Sequence, residues 1–568
     1  MAEGKGGVPH DVEKRSNEAT TKTAVGLRGD VHDDDDAYDA GHVEASAVDG
    51  VYGRKVYIMN KIMNEQIGMT WWQWGLLCVA GVGWLIDNAW LQLVAVILPQ
   101  VEREFEEVHG AGAVTQPRGP FMTLSLFAGL IVGAAFWGIA ADVVGRRFSF
   151  NATLLIAGVF GTAAGGATSF ATLGGLFAAL GFGLGGSLPV DGMLFLEFLP
   201  GNRQNLLTLL SVFWSLGQLL TSLVGWAFIV NYSCDSTQEC SEKNGMGWMV
   251  NNKGWRYLNF TIGAFTLACF FLRFVVFKIP ESPKFLISKG RDAEAVVAMK
   301  RFAAMCGKPL PDDALTVGIL RSAAGEDGTM DEVDAEKPAP RGTLRERTEQ
   351  RLRGLRKNMR GVSFVPSLSH IKPLYSTRAL GYTTTIIWLL WAIIGIAYPL
   401  FNSFIILYLG NNGSTSPSLV YRNYVIISVC GVPGSLIAAW LVDLPRSGRR
   451  GAMALGTLLT GVFLFGFTGV HTSDGQLAFS CVTAFTQNIM YGVLYCYTPE
   501  AFPAPLRGTA DGIGSSLNRV LGLVATIVKL YGADTNPATP IYISAALFIV
   551  AAALMLTLRV ETAARTAL

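Results

Sequence analysis

Between residues 73 and 277, and again between 380 and 559, the chain repeats one pattern: a run of about twenty or more mostly apolar residues, then a short connector that holds the charges. A helix rises about 1.5 Å per residue, so ~20 apolar residues cross the hydrocarbon of a bilayer. Six segments of that length lie at 73–99, 120–141, 148–168, 172–198, 205–230 and 257–277. Six more lie at 380–409, 422–443, 451–470, 476–498, 509–532 and 539–559. Between the sets runs a polar stretch that is acidic at Asp312, Asp313, Glu326, Asp327 and Glu332 and then basic at Arg341, Arg345, Arg347, Arg351, Arg353, Arg356, Lys357 and Arg360. The pattern predicts an all-α membrane protein of twelve transmembrane helices in two six-helix halves.

Composition agrees with a lipid-facing chain: 51% of residues are hydrophobic and 15% charged, against about 25% charged in soluble domains. The net charge of +2 implies no nucleic-acid partner. None of the eight cysteines stands in C-x-x-C spacing, and neither a nucleophile–base pair nor a metal cluster is visible, so no cofactor, metal or enzymatic activity is expected. The polar first 65 residues, with the run His32-Asp33-Asp34-Asp35-Asp36, read as a disordered cytosolic tail without a cleaved signal peptide. Gly181, Gly183 and Gly186 match G-x-G-x-x-G, but a dinucleotide site needs a preceding strand, and here the glycines sit inside an apolar helix-length run.

Lysine and arginine mark cytosolic connectors. With the N-terminus inside, Arg146-Arg147, Arg203, the central basic run, Arg449-Arg450 and Arg507 all fall on the inner side, although Arg103, Arg118, Lys243 and Lys253 enrich the outer one. The glycosylation sequons at Asn231 and Asn412 fall in outer loops, as do Cys234 and Cys240, where a disulfide would survive. The expected organisation is a tail (1–65), a first half (66–277), a cytosolic central loop (278–378), a second half (379–560) and a cytosolic C-terminal tail (561–568). The protein is placed in the plasma membrane, with the vacuolar membrane as the alternative; its oligomeric state is not readable.

The halves echo each other. GIAADVVGRR (138–147) joins spans two and three, and LVDLPRSGRR (441–450) joins spans eight and nine. Glu197-Phe-Leu-Pro200 leads to Arg203 after span four, and Glu500-Ala-Phe-Pro503 leads to Arg507 after span ten. Two echoes at matching positions argue for duplicated halves. With Gly138, Asp142, Gly145, Arg146 and Arg147 in G-x-x-x-D-x-x-G-R-R, residues 65–560 resemble the major facilitator superfamily. PESPKFL (280–286) resembles a mark of its sugar-porter and organic-ion branches, while IMNEQIGMTWWQW and GGSLPVDGMLFLEFLP resemble the fungal synaptic-vesicle-glycoprotein-like group, close to organic-ion and nicotinate carriers. The resemblance implies alternating access, driven by protons, for a small polar organic solute, a carboxylate among the options. Sugar or inorganic-anion symport is the alternative, and a non-transporting receptor or vesicle protein another. Ser187 stands where phosphate symporters carry aspartate, and WAIIGIAYPLFNSF replaces the sugar porters' QQ-x-x-G-x-N, which argues against phosphate and hexose.

Asp87 and Asp191 are the proton-coupling candidates. An aspartate at the bilayer centre costs ~2.5–3.5 kcal/mol on insertion scales and so usually faces a cavity; the plain alternative for each is a packing aspartate. Cavity candidates are Asn88, Trp90, Gln92 and Gln218 in the first half and Tyr398, Asn402, Gln487, Asn488, Asn518 and Arg519 in the second, any of which serves equally as glue between helices. Arg519 would attract an anionic substrate or pair with Asp511. By the resemblance, Asp142, Arg146, Arg147, Glu197, Arg203 and Glu281, with Asp443, Arg449, Arg450, Glu500 and Arg507, form a cytosolic gate that separates on opening.

An epitope within residues 320–340 is expected to be hidden from antibody in intact cells and one at residue 240 to be reached. The opposite labelling would reverse the orientation and remove the gate from the cytosolic side.

Overall fold

The computed structural model describes residues 51–108, 119–143, 146–200, 203, 206–234, 251–275, 279–325, 371–402, 417–442, 444, 448–470, 472–502, 504–532 and 538–560. Asp443, Asn412, Cys240 and the side chain of Asp142 lie outside the described residues. The first half consists of α1 (Val51–Ile62), a π-helical turn (Met63–Ile67), α2 (Trp71–Val108), α3 (Gly119–Val143), α4 (Arg146–Ala164), α5 (Phe170–Leu184), α6 (Ser187–Phe198), α7 (Leu206–Tyr232) and α8 (Gly254–Val275). Three short helices follow, α9 (Pro283–Ser288), α10 (Asp292–Met305) and α11 (Val317–Ala324). The second half holds α12 (Arg378–Asn402), α13 (Pro417–Leu441), α14 (Gly448–Thr468), α15 (Ser473–Glu500), α16 (Ala504–Gly532) and α17 (Thr539–Thr557).

Among the described residues, ten helical segments, counting α5 and α6 as one, are long and apolar enough to cross a membrane. The other two spans are α4 and α16, the latter carrying Arg507, Asp511 and Arg519. The expected single span at 172–198 is interrupted at Gly185-Gly186, where added β-carbons would collide with the backbone of Leu130 and Ala134 and with the Trp137 ring. Bare backbone there lets α3 approach closely.

The packing is pseudo-symmetric. Within the first half α2 lies on α7, α3 on α5, and α4 on both α8 and α5. The second half repeats this scheme: α12 on α16, α13 on α15, and α14 on both α17 and α15. The halves meet along matching seams, α7 against α13 and α3 against α16. Because helices in lipid gain little from apolar association, polar side chains and small residues carry the packing. Trp90 Nε1 donates to Thr266 Oγ1 (3.1 Å), Thr221 Oγ1 donates to Ala89 O (3.0 Å), and Ser544 Oγ donates to Ala397 O (2.7 Å). Beyond the expected end of span one, α2 continues to Glu104, whose carboxylate binds Arg256 (2.7 Å), Trp255 Nε1 (2.7 Å) and Asn252 Nδ2 (3.1 Å).

Residues 51–65, read from sequence as part of a disordered tail, are helical here, and residues 283–325 of the central loop form α9–α11. The cause is an amphipathic pattern too short to stand out: Val56, Met59, Ile62 and Met63 bury one face of α1 in a core with Leu286, Met299, Phe302 and Leu320. Trp72, Phe198 and Phe302 join that core to the ends of α2 and α6, with ring centroids 5.1–5.4 Å apart. Lys55 Nζ pairs with Asp292 (2.8 Å), and Lys308 Nζ donates to Ile67 O (2.8 Å). Ser282 and Thr316 cap α9 and α11 through their hydroxyls.

On α2, Gly83 faces the Asp191 carboxylate so closely that a β-carbon would overlap it. Gly83→Val is therefore expected to lower stability by about 1–3 kcal/mol or more, seen as an earlier thermal unfolding transition in detergent. Gly175→Val, at a glycine facing open space, serves as the control; equal loss in both would refute the packing assignment.

Candidate functional site

A cavity of about 100 Å³ opens between the halves, lined by α2, α3, α6 and α7 on one side and α12, α15 and α16 on the other. From α2 come Asp87, Asn88, Leu91, Gln92, Ala95 and Leu98, successive positions on one helical face. Opposite them stand Tyr398, Asn402, Tyr491, Tyr495, Asn518 and Arg519. The lining uses the second half of α2, the first half of α3 and the last turns of α12. The cavity thus lies toward the end of the bundle away from Arg146.

Asp87 is fully buried. Its Oδ1 accepts from Ser187 Oγ (3.0 Å), and its buried Oδ2 has no hydrogen-bond partner. Across the cavity Arg519 is 6% exposed; its Nη1 donates to Ser515 Oγ (2.8 Å), and its charge acts on both Asp87 and Asp511. No carboxylate among the described residues forms a salt bridge with Arg519. Asp511 lines a separate, smaller pocket of about 20 Å³ with Trp84, Pro189 and Gly192.

A hydrogen-bonded chain crosses between the halves beside this pair. Asn88 Nδ2 donates to Trp214 O (2.7 Å), Gln92 Nε2 donates to Asn88 Oδ1 (3.1 Å) and to Tyr398 Oη (3.2 Å), and Tyr424 Oη donates to Gln92 Oε1 (2.5 Å). Gln218 also hydrogen-bonds Tyr424. Asn402 Nδ2 donates to Gln487 Oε1 (3.2 Å) and to Tyr398 O (3.2 Å). The floor is aromatic: Tyr495 of the second half packs its ring against Trp84 (5.1 Å), Trp214 (6.1 Å) and Trp391 (4.8 Å).

Asp191 lies elsewhere. It forms an ion pair with Arg273 (2.9 Å) in which the side chains are 0% and 3% exposed. The guanidinium also donates to Phe150 O (2.8 Å) and Val79 O (3.0 Å), and lies 3.2 Å from the Phe150 ring centroid. One side chain on α8 thereby ties α2, α4 and α6, and Asp191 is no part of the cavity wall. Trp90, Gln487 and Asn488 are also outside it. Trp90 is core, and Asn488 Oδ1 accepts from Ser215 Oγ (3.0 Å), which also bonds Ser435 Oγ (2.6 Å) across the halves. Gln218 bears on the cavity only through Tyr424.

At the Arg146 end, Arg146 pairs with Glu197, and its backbone N–H donates to Glu281 Oε1 (3.2 Å). The counterpart is Arg449, which binds both oxygens of Glu500 (2.9 and 3.2 Å) with both side chains almost wholly buried. Each pair joins residues of one half. Arg147 and Arg203 are exposed, Arg450 Nη2 donates to Leu556 O (2.9 Å), and Arg507 Nη2 reaches Phe502 O at 3.4 Å. At the opposite end Asn231 is exposed in the last turn of α7 and Cys234 is disulfide-bonded.

Sequence reasoning missed Arg273, Tyr424, Tyr491 and Tyr495. A lone arginine within the apolar run of α8 was a readable signal for the first. The tyrosines gave none, since tyrosine is common in apolar spans without function.

The family model described as Major Facilitator Superfamily matches residues 76–526. The chain is 42% identical to "MFS siderochrome iron transporter 1" of Ceriporiopsis subvermispora over 92% of this chain and 94% of that protein. It is 26% identical to "Niacin transporter NiaP" of Acinetobacter baylyi over 83% and 89% of the two chains. Among solved structures it is similar to the proton:xylose symporter XylE bound to 6-bromo-6-deoxy-D-glucose, with a TM-score of 0.62, 16% identity, and coverage of 87% of this chain and 98% of that one.

Arg273→Met leaves the Asp191 carboxylate buried without a partner and is expected to cost about 3–5 kcal/mol, whereas Asp191→Leu with Arg273→Met is expected to recover most of that loss. Thermal unfolding of the three proteins in detergent checks this. A double variant as unstable as Arg273→Met would show that the guanidinium's carbonyl contacts, not the ion pair, hold the four helices.

Proposed function

The chain belongs to the Major Facilitator Superfamily, and on that basis we propose that it is a proton-coupled secondary transporter of a small organic carboxylate, with Asp87 as the proton site and Arg519 as the substrate's anchor. The observation that carries this reading is the partnerless Oδ2 of Asp87 facing Arg519 across the cavity between the halves. In hydrocarbon, net charge is what a site moving between two sides must avoid. The empty cavity wall holds one carboxylate and one guanidinium. A monocarboxylate at Arg519 and a proton on Asp87 leave the same sum of zero, so the loaded and empty sites cross with equal net charge. A neutral solute with a proton would leave +1.

With both termini cytosolic, as the lysine and arginine distribution supports, the Arg146 end is the inner side. Tyr495 and its three tryptophan neighbours then close the path inward, and the cavity lies on the outer side of that floor. Opening inward requires the seams α7–α13 and α3–α16 to rock. The pairs Arg146–Glu197 and Arg449–Glu500 each join helices of one half, which supports a role in bracing that half as it moves. Asp191, held by Arg273, serves as a fixed charge in that brace, and the proton role falls to Asp87. Size narrows the cargo: drug-sized ligands occupy ~300–1,000 Å³, so about 100 Å³ favours a molecule such as the niacin named for one relative over the bulkier siderochrome named for the other.

The test uses Asp87→Asn in proteoliposomes, with radiolabelled niacin as the first solute. Asparagine keeps the shape and accepts from Ser187 but takes no proton. Uphill uptake driven by a pH gradient is expected to vanish, while counterflow exchange persists within a few-fold of the parent. Retained pH-driven accumulation would end the assignment of Asp87, and loss of both activities at normal expression would place Asp87 in substrate binding.

A further inference from the structure

The larger and smaller cavities between the halves share a wall: Leu188, Tyr495 and Ser515 line both. Helix by helix, the smaller one takes residues nearer the Arg146 end: Trp84 against Asp87 on α2, Leu207 against Trp214 on α7, Pro499 against Tyr491 on α15, and Asp511 against Arg519 on α16. It therefore lies across the Tyr495 floor from Asp87. Its volume of about 20 Å³ suits one small polar guest, since a single water needs roughly 10–15 Å³ of such space and two to four polar partners. Those partners are present. Trp84 is 3% exposed, and its indole Nε1 is buried without a hydrogen-bond partner. Ser515 Oγ accepts from Arg519 Nη1 (2.8 Å) and keeps its own proton to donate. Asp511, one turn before Ser515 on the same face of α16, supplies the acceptor. The walls given by α2, α6, α7 and α15 carry no charged side chain, and Tyr495 is their titratable member. The charges acting on Asp511 are Arg519 and Arg507 of its own helix.

We propose that the smaller cavity binds one water between Trp84 Nε1 of the first half and the Asp511 carboxylate of the second, and that Asp511 is the inner proton station, taking from Asp87 the proton that arrives with the cargo. The proposal rests on proton-coupled transport with Asp87 as the outer site. Asp87 stands in the larger cavity and Asp511 in the smaller, with the Tyr495 ring and Ser515 between them. While the floor is closed, the edge of that ring lies against Trp84 (5.1 Å) and interrupts the chain of hydroxyl and water, so protons do not leak past the cargo. When the halves rock and the floor parts, the two cavities join. The O–H bond of protonated Asp87 then breaks, the Ser515 hydroxyl and the water each take one proton and give one, and an O–H bond forms on Asp511. The pair of carboxylates carries one negative charge before and after, so no charge is created in the apolar interior. The Arg519 charge acts on both carboxylates and compensates whichever is anionic.

Infrared titration of the purified full chain reads Asp511 without any cargo. The C=O band of protonated carboxyls is expected to lose one component in Asp511→Asn and to keep that component in Asp87→Asn. Trp84→Phe, which keeps an apolar ring and loses the indole N–H, is expected to shift the same component. In proteoliposomes with radiolabelled niacin, Asp511→Asn is expected to lose pH-driven accumulation and keep counterflow, which needs no net proton release. Asp511→Glu, which restores a carboxyl, is expected to recover accumulation and so to show that the position tolerates substitution. An unchanged band in Asp511→Asn, or parent-level accumulation in that variant while Asp87→Asn has lost it, would overturn the station and leave the coupling reading in place. Parent-level accumulation in Asp87→Asn would instead overturn the coupling reading, and the station with it. A component that Trp84→Phe does not move would overturn the bound water.

Discussion

Charge inside an apolar bundle has to be compensated by the protein itself, because no water is available to do it. The spans of this chain meet that constraint in two ways. Arg273 and Asp191 pair in direct contact at 2.9 Å, and two backbone carbonyls add to the guanidinium's contacts, although Asp191 Oδ1 and Arg273 Nε are buried without a hydrogen-bond partner. Asp87 and Arg519 instead face each other across open space. The first pair is in direct contact and the second lines a cavity, and that contrast supports reading the first as a brace and the second as a site.

The brace explains how each half can move as a body. Arg273 links α2, α4, α6 and α8; Glu104 with Arg256 links α2 and α8 at the opposite end. The buried pair Arg449–Glu500 does the equivalent in the second half between α14 and α15. Among the described residues the hydrogen bonds between the halves are of a different kind, hydroxyl and amide bonds such as Ser215–Ser435 and Gln92–Tyr398, beside aromatic edges around Tyr495. Neutral contacts of this sort exchange at low cost, about 0.6 kcal/mol each on average in a bilayer, while a buried ion pair does not. Rigidity within halves and easy separation between them follow from that asymmetry.

The same contrast bears on specificity. The cavity wall mixes amides and phenols with one carboxylate and one guanidinium, and its polar groups are largely bonded to one another through Gln92. A cargo must therefore offer an interaction better than those already made, which under the proposed reading is that of an anion with Arg519. Proteins of the same fold include one named for xylose, and sequence relatives are named for siderochrome and niacin, so the architecture alone does not set the cargo.

Span number and length, the two halves and their echoed connectors were legible in the sequence, because hydropathy over twenty residues and a ten-residue motif are local properties. Asp87, Asn88, Gln92, Tyr398, Asn402, Asn518 and Arg519 could likewise be picked out as polar residues in apolar runs, and they share one cavity. What the linear chain left open was the distinction among residues that look alike. Asp87 and Asp191 are both aspartates in apolar spans, yet Asp191 meets an arginine 82 positions away while Asp87 meets a serine and an open space. Trp90 became core, and Tyr424 and Tyr495 became part of the site, only through packing between spans. Residues 51–65 became helix only because α10 and α11 offered a face to bury them. Membrane insertion depends on what each segment contains. Partnership depends on which segments are neighbours, and helix packing alone decides that.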